Sequence, residues 1–449
     1  MASTIYRDMT RGNPARLILS FSLPLLAGGL FQQLYSMVDT LVVGRFVGVD
    51  ALGALGATNS TGFLVLSLVL GLTNGVSIVI SQVFGAKDAL GLRRAVGGAV
   101  TVTGAAGLVV SVAGVALARP LMALLGTPAE LMDMAALYLQ ITFGGSLCQV
   151  AYNTASAVLR AVGDSRTPLY FLILASLLNV GLDLLLVLAL PWGVAGVAIA
   201  TVIAQGVSAV GCAAYIAKRY PMLRFGPREM LPTRRELARV LRIGLPMGVQ
   251  SAVLSAGMMV IQRVINGFGS AVVAGYAAAG KVDQIPSMVL SNLGVATATY
   301  MGQNAGARDE GRIRQGFARA SWITYGCALA LSALILLLRG PLVGLFVSSG
   351  ETVVLGHAMD YLGVSASFYL FSGAIFLYNS TLRALGDVWP PMASTLIELA
   401  VKVGGAVLLG GWIGPMGVWF ATPIGWILCL IPSVIRYHSG SWRALLDRF

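Results

Sequence analysis

The chain has 449 residues, of which 57% are hydrophobic and 11% charged, with a mean hydropathy of +0.82 and a formal net charge of +12. Soluble domains carry roughly 25% charged residues, so this composition excludes an ordinary soluble domain and reads as an all-α polytopic membrane protein. Cys148, Cys212, Cys327 and Cys429 fall in apolar runs without CxxC spacing, and His357 and His438 have no clustered partners. The pattern predicts neither a disulfide framework nor a zinc site, and these are most simply packing residues.

The first 16 residues are polar and basic and lead into a long apolar run, which predicts a retained first span rather than a cleaved signal. Asn13-Pro14 reads as the N-cap and first residue of that helix. Counting apolar runs able to cross about 30 Å predicts twelve spans, near 16-43, 52-83, 95-118, 132-159, 168-190, 194-217, 239-264, 271-302, 316-338, 356-382, 391-411 and 415-436. Thr233-Arg234-Arg235-Glu236 reads as a capping box that starts the seventh. With the N-terminus inside, 24 Lys and Arg fall on the cytoplasmic side and four outside, at Arg45, Arg119, Arg263 and Arg339, while Lys281 and Lys402 lie within spans. That bias predicts a multi-pass protein of the cell (inner) membrane with both termini cytoplasmic, and it accounts for the positive charge as topology rather than nucleic-acid binding.

The longest inner loop, with Pro221, Pro227 and Pro232 and eight basic residues from Lys218 to Arg242, divides six spans from six. The expected organisation is an N-terminal six-helix lobe over 1-217, an inter-lobe loop over 218-238 and a C-terminal six-helix lobe over 239-449. The halves agree repeatedly at a shift of 221 to 223. Ser22-Leu23-Pro24 answers Gly244-Leu245-Pro246, and Phe46 answers Phe268. Gln82 to Asp88 answers Gln303 to Asp309, Leu159 to Asp164 answers Leu382 to Asp387, and Gly196-Val197 answers Gly417-Val418. An even number of spans per half gives both copies the same orientation, with a pseudo-twofold axis along the membrane normal. Parallel repeats of this kind recur in secondary transporters, whose substrate sites lie between the halves.

Features that break the duplication are the better functional candidates. Arg160/Asp164 and Arg383/Asp387 occur in both halves and read as local ion pairs or turn-formers. Asp39 and Asp183 do not recur: Asp39 aligns with Ile261, and Asp183 with the 404-406 region. A carboxylate inside an apolar run costs several kcal/mol by any estimate and so calls for a pathway or a partner. Asn179 stands four residues before Asp183, on the same helical face. Counting rises places Asp39, Asp183 and Thr201 in the outer half of the membrane, where their oxygens and that of Asn179 can form a cation or proton site within the N-terminal lobe. Glu398 and Lys402, also four apart, read as a neutralising pair. Lys281 and Asp283 are two apart, so their partners lie elsewhere. Gln284 and Gln303 add polar groups to the same span. No HExxH cluster and no nucleophile with a base is present, so the chain reads as a non-enzyme.

Taken together, Ser22-Leu23-Pro24, Met37-Val38-Asp39-Thr40, the inner-loop motifs ending at Asp88 and Asp309 and the paired Leu-Arg-Ala-x-Gly-Asp motifs resemble the MATE (multidrug and toxic compound extrusion) family over essentially the whole chain. The resemblance implies two six-helix lobes making a V-shaped cleft. It also implies export of small amphipathic, often cationic compounds in exchange for protons or sodium ions, with membrane lipids as surroundings, no nucleic acid and no cofactor beyond the coupling ion. Asp39, Asn179, Asp183 and Thr201 match the N-lobe cation and proton site of the DinF-like branch, and the same four would hold a sodium ion. The acidic pair of the NorM-like branch is not matched. Phe31, Gln32, Tyr35, Tyr152, Asn153, Tyr276, Asp283 and Gln284 are the expected lining of the substrate cleft. The alternative within the superfamily is a flippase for a lipid-linked saccharide. Such a cargo would favour a strongly cationic cleft, whereas here two intramembrane Lys stand against Asp39, Asp183, Asp283 and Glu398.

Overall fold

A computed structural model describes residues 7–124, 126–348 and 350–448, apart from the side chains at 49, 59, 60, 64 and 448. Among these residues all regular structure is helical. Fourteen α-helices follow one another: α1 Pro14–Val42, α2 Val49–Gly85, α3 Ala89–Leu124, α4 Ala129–Gly144, α5 Ser146–Ala161, α6 Arg166–Leu184, α7 Gly193–Arg219, α8 Arg234–Asn266, α9 Ser270–Gly306, α10 Glu310–Gly344, α11 Thr352–Ser367, α12 Tyr369–Ala384, α13 Trp389–Ile413 and α14 Pro415–His438. Among the described residues nine helical stretches are long and apolar enough to cross a membrane, and α4–α5 and α11–α12 pass the same test as bent pairs. The remaining expected span is α9, a 37-residue helix that carries Lys281, Asp283, Gln284 and Gln303.

Two of the twelve expected spans are therefore broken helices. The bends are 46° at Gly145 and 50° at Phe368, positions that correspond at the shift of 223, so the duplication extends to the kinks. At Gly145 the chain also passes close to α7, where a Cβ would sit 2.2 Å from the Val202 side chain. The helix starts are capped as expected. Asn13 Oδ1 accepts the Ala15 and Arg16 N–H groups at 3.0 and 3.3 Å. Thr233 N–H donates to Glu236 Oε2 at 2.7 Å, and Glu236 N–H returns the bond to Thr233 Oγ1 at 3.4 Å. These side chains satisfy backbone donors that a helix start leaves open.

The repeated loop motifs turn the chain in the same way in both halves. Lys87 and Arg308 adopt φ of 58° and 55°, the left-handed conformation that closes α2 and α9. Asp88 Oδ1 then accepts Gly91 N–H at 2.8 Å, and Asp309 Oδ1 accepts Arg312 N–H at 2.9 Å. Asp164 is a turn-former: Oδ1 caps α6 through the N–H groups of Arg166 and Thr167, both at 3.0 Å, and Oδ2 accepts from the Tyr220 hydroxyl at 2.6 Å. Its repeat, Asp387, forms an ion pair with Arg436 of α14.

The chain divides into two compact units whose limits fall inside α1 and α8 rather than at the 218-238 loop. Among the described residues the first comprises 7–8 and 23–252, the second 9–22 and 253–448. In the second unit the segment before α1 is tied to the α9–α10 turn. Met9 is fully buried; its N–H donates to Gln303 Oε1 at 2.8 Å, and its carbonyl accepts from Asn304 at 3.2 Å and from Arg312 at 3.0 Å. In the first unit α2 and the start of α8 touch backbone to backbone: a Cβ on Gly71 would lie 2.0 Å from the Gly248 nitrogen, and one on Gly75 2.4 Å from Gly244 Cα. Only glycine permits such an approach.

Candidate functional site

Three helices of the first unit bring the four expected residues together. α1 supplies Asp39, α6 supplies Asn179 and Asp183 one turn apart, and α7 supplies Thr201. Asp183 has no exposed surface and Asn179 is 1% exposed. The Asn179 amide is pinned between the two carboxylates. With its nitrogen toward them it donates to Asp39 Oδ1 at 2.9 Å and to Asp183 Oδ2 at 3.1 Å, and its oxygen accepts from the Thr201 backbone N–H at 3.2 Å. The opposite orientation would aim an acceptor oxygen at two carboxylates, so the bonding pattern selects the first.

Tyr35, expected as a cleft wall, belongs to this cluster. Its hydroxyl lies 3.2 Å from Thr201 Oγ1 and within hydrogen-bonding reach of Asp39. Its place four residues before Asp39 puts both on one face of α1, a signal readable in the sequence. Asp39 and Asp183 are themselves close enough to share a hydrogen bond when one of them is protonated. Asp183 Oδ1 is buried and has no hydrogen-bond partner. Tyr138 of α4 lies near enough to both carboxylates to feel their charge, and nothing in its apolar run marks it out.

Both carboxylate-bearing helices lose their α-helical register just past the site. Val43–Val47 follows α1 and Leu185–Ala189 follows α6 as π-helical turns, in which Gly48 N–H donates to Val43 O and Leu190 N–H to Leu185 O, each at 3.1 Å. The two turns pack on one another through Val43 and Val187, with Val42, Val194 and Val197 around them. Such turns are rare and frequent at functional sites, because a widened ring is a place where a helix can shift register.

The remaining expected lining residues occupy several environments. Phe31 and Gln32 are exposed on α1, Asn153 is half-buried on α5, and Gln284 is exposed on α9. Tyr152 is buried and its hydroxyl donates to the Pro168 carbonyl at 2.9 Å, a bond that ties α5 to α6. Asp283 accepts from Tyr369 at 2.5 Å and from Tyr361 at 3.3 Å, partners from α12 and α11 in the second unit. Tyr276 stacks on Trp419 with centroids 5.5 Å apart and planes 2° off parallel, and Tyr361 meets both rings edge-on. Glu398 and Lys402 form the expected pair at 2.6 Å. This half-buried carboxylate with two phenol donors is already satisfied, unlike Asp183.

Comparison with known proteins follows the same lines. The family model described as MatE matches residues 24–185 and 246–408, one match in each half of the sequence. A probable multidrug resistance protein of Bacillus subtilis, YpnP, is 32% identical over 439 residues, which is 98% of each chain. The probable multidrug resistance protein NorM of Thermotoga maritima is 24% identical over 455 residues, covering 96% of this chain and 94% of that one. Among solved structures, an outward-facing multidrug resistance MATE family transporter of the MOP superfamily superposes with a TM-score of 0.90 at 23% identity over all of both chains. A MOP superfamily transporter from Pyrococcus furiosus, described as having a binding pocket of reversed polarity, does so with a TM-score of 0.91 at 23% identity, covering 100% of this chain and 99% of that one.

Proposed function

Because the chain belongs to the MatE family, we propose that it is a secondary antiporter that exports amphipathic, cationic organic compounds in exchange for protons or sodium ions, with Asp39, Asn179, Asp183 and Thr201 as the coupling site. The observation that carries this reading is the unpartnered Oδ1 of fully buried Asp183, beside a second carboxylate on an apolar helix. Two carboxylates sharing one amide donor are short of positive charge, which a proton or a small cation supplies. Oxygens from Asp, Asn and Thr suit either ion.

In this mechanism the ion enters from outside and neutralises the pair. Neutralisation releases Asn179 and the Tyr35 hydroxyl from their charge-assisted bonds, and α1 and α6 repack at their π-helical turns. Access then alternates from one side of the membrane to the other. If the coupling ion weakens binding of a cationic compound, that compound weakens the ion by the same factor. A membrane potential of about 100 mV supplies about 2.3 kcal/mol per net charge moved, roughly a fifty-fold accumulation. The excess of Lys and Arg in alternate loops supports an orientation in the cell membrane with both termini in the cytoplasm.

The test is efflux of a fluorescent cation from proteoliposomes under proton and sodium gradients imposed separately, for the wild type and Asp183→Asn. The wild type responds to one gradient, which names the ion, and the variant loses that response. Unaltered gradient-driven efflux in the variant would overturn the assignment of the site. Wild-type protein that moves no organic cation under either gradient would bring the lipid-linked saccharide forward as cargo.

A further inference from the structure

A slot of about 580 Å³ opens within the first unit between α3, α5 and α7, and the 3₁₀ turn Pro221–Leu223 closes one end. It contains none of the coupling residues. Its walls are almost wholly aliphatic, and the single charged side chain that lines it is Arg224, at the end formed by the basic inter-lobe loop. The Arg224 guanidinium is exposed, with Nε held by the Ala217 carbonyl at 2.5 Å. The volume lies in the range of about 300–1,000 Å³ typical of ligand sites.

The internal duplication says what this space requires. At the shifts of 221 and 223, the slot residues Val96, Gly104, Ala155, Ile216 and Ala217 correspond to Phe317, Tyr325, Tyr378, Tyr437 and His438. In the second unit those larger side chains pack upon one another. Phe317 stacks on Tyr437 with centroids 3.9 Å apart and meets Tyr378 edge-on at 5.0 Å. Tyr378 hydrogen-bonds His438 Nε2 at 2.9 Å and interacts with the Tyr325 hydroxyl. Trp442, from the 3₁₀ helix Ser441–Arg448 that follows α14, stacks on Tyr437 and is 2% exposed. One copy of the repeat thus fills with its own aromatic rings the space that the other leaves open. A Cβ on Gly104 would meet nothing within 4 Å. Close packing is the rule inside proteins, and an open apolar slot of this size forfeits the contacts its twin makes.

We propose that the slot is a binding site for an anionic phospholipid, with one acyl chain lying between α3, α5 and α7 and the headgroup phosphate on Arg224. The aliphatic walls match a saturated chain rather than a polar or cationic compound, and the slot runs along helices that the composition places in the bilayer. The positive group at its mouth matches a phosphate, for which guanidinium is a favourable partner. The basic loop that ends the slot lies on the side where anionic headgroups attract Lys and Arg.

The experiment uses the full-length purified protein, delipidated in detergent and then given phosphatidylglycerol or phosphatidylcholine in mixed micelles. Melting temperature and lipid retained after gel filtration, read by mass spectrometry, are followed. The wild type is expected to retain phosphatidylglycerol and to melt several degrees higher with it than with phosphatidylcholine. Arg224→Gln should retain both lipids equally. A V96F/A155Y variant, which places the aromatic pair of the second unit into the first, should retain neither and should melt without dependence on either. Wild-type protein indifferent to phosphatidylglycerol, Arg224→Gln with its preference intact, or equal protection by an uncharged apolar compound would each overturn the assignment. Arg224→Gln lies on an exposed loop, so its result stands even if the filled variant does not fold. None of these readouts depends on transport, so the outcome is independent of the coupling site.

Discussion

The amide nitrogen of Asn179 lies 3.1 Å from Oδ2 of Asp183, one helical turn on, and also 2.9 Å from Asp39 on a different helix. One neutral side chain therefore holds a fully buried carboxylate, Asp183, and a half-buried one, Asp39, together. Replacing it by Leu keeps the shape of the site but removes the shared donor, leaving both carboxylates to be neutralised by the ion alone. A charge-assisted bond is worth roughly 1.5–3 kcal/mol, so about ten- to a hundred-fold loss of gradient-driven transport is expected for Asn179→Leu. Counterflow of a labelled substrate, which needs no gradient, should be retained. If both fall in parallel, Asn179 has a general packing role and not one in coupling.

Tyr35→Phe removes a hydroxyl that reaches Thr201 Oγ1 at 3.2 Å and Asp39. A single hydrogen bond contributes on the order of 1 kcal/mol, so a several-fold change is expected rather than abolition. Because the hydroxyl ties Thr201 and Asp39 into one cluster, its loss should weaken gradient-driven transport while leaving counterflow of a labelled substrate intact. The two are compared as initial rates in the same proteoliposomes. Equal loss of both, or loss of neither, would place Tyr35 outside the coupling site.

Much of this was legible in the sequence because the signals are local. Apolar run length marks the spans, a fixed shift exposes the duplication, and an acid in a hydrophobic stretch identifies Asp39 and Asp183. The spacing of Asn179 and Asp183 is a property of any helix. The π-helical turns after both acids left no mark, since the i to i+5 bonds use residues that would serve an α-helix equally well. The paired bends were hidden for another reason: they occur at Gly145 in one half and Phe368 in the other, residue types with no common signature. The partners of Asp283 lie 78 and 86 residues away and emerge only from packing.

Those partners give the next prediction. Tyr369 is 1% exposed and donates to Asp283 Oδ1 at 2.5 Å. Removing the donor in Tyr369→Phe takes the shorter of two bonds from a half-buried carboxylate, at a cost of about 1 kcal/mol. Asp283→Leu removes the acceptor with its charge and leaves two phenols unpaired. The double variant should be more stable than the sum of the single losses predicts, because the charge that needed the phenol is gone. Thermal unfolding of the four proteins in one detergent tests this, and simple additivity would mean that the two groups do not depend on each other.

Gly71 and Gly248 make the last prediction, and its sign is diagnostic. In an isolated helix, Gly to Ala is stabilising by about 1 kcal/mol. Here a Cβ at Gly71 would lie 2.0 Å from the Gly248 nitrogen and 2.2 Å from its Cα, and a Cβ at Gly248 would lie 2.7 Å from the Leu68 carbonyl oxygen. The obstacles are backbone atoms, which no rotamer change can move, so α2 and the start of α8 must separate. Gly71→Ala and Gly248→Ala should each lower the melting temperature and the yield of folded protein. Gly56→Ala on the same helix, where the added carbon meets nothing within 4 Å, should be neutral or stabilising. Equal behaviour of Gly71→Ala and Gly56→Ala would show that the α2–α8 contact is looser than the glycine pairs indicate.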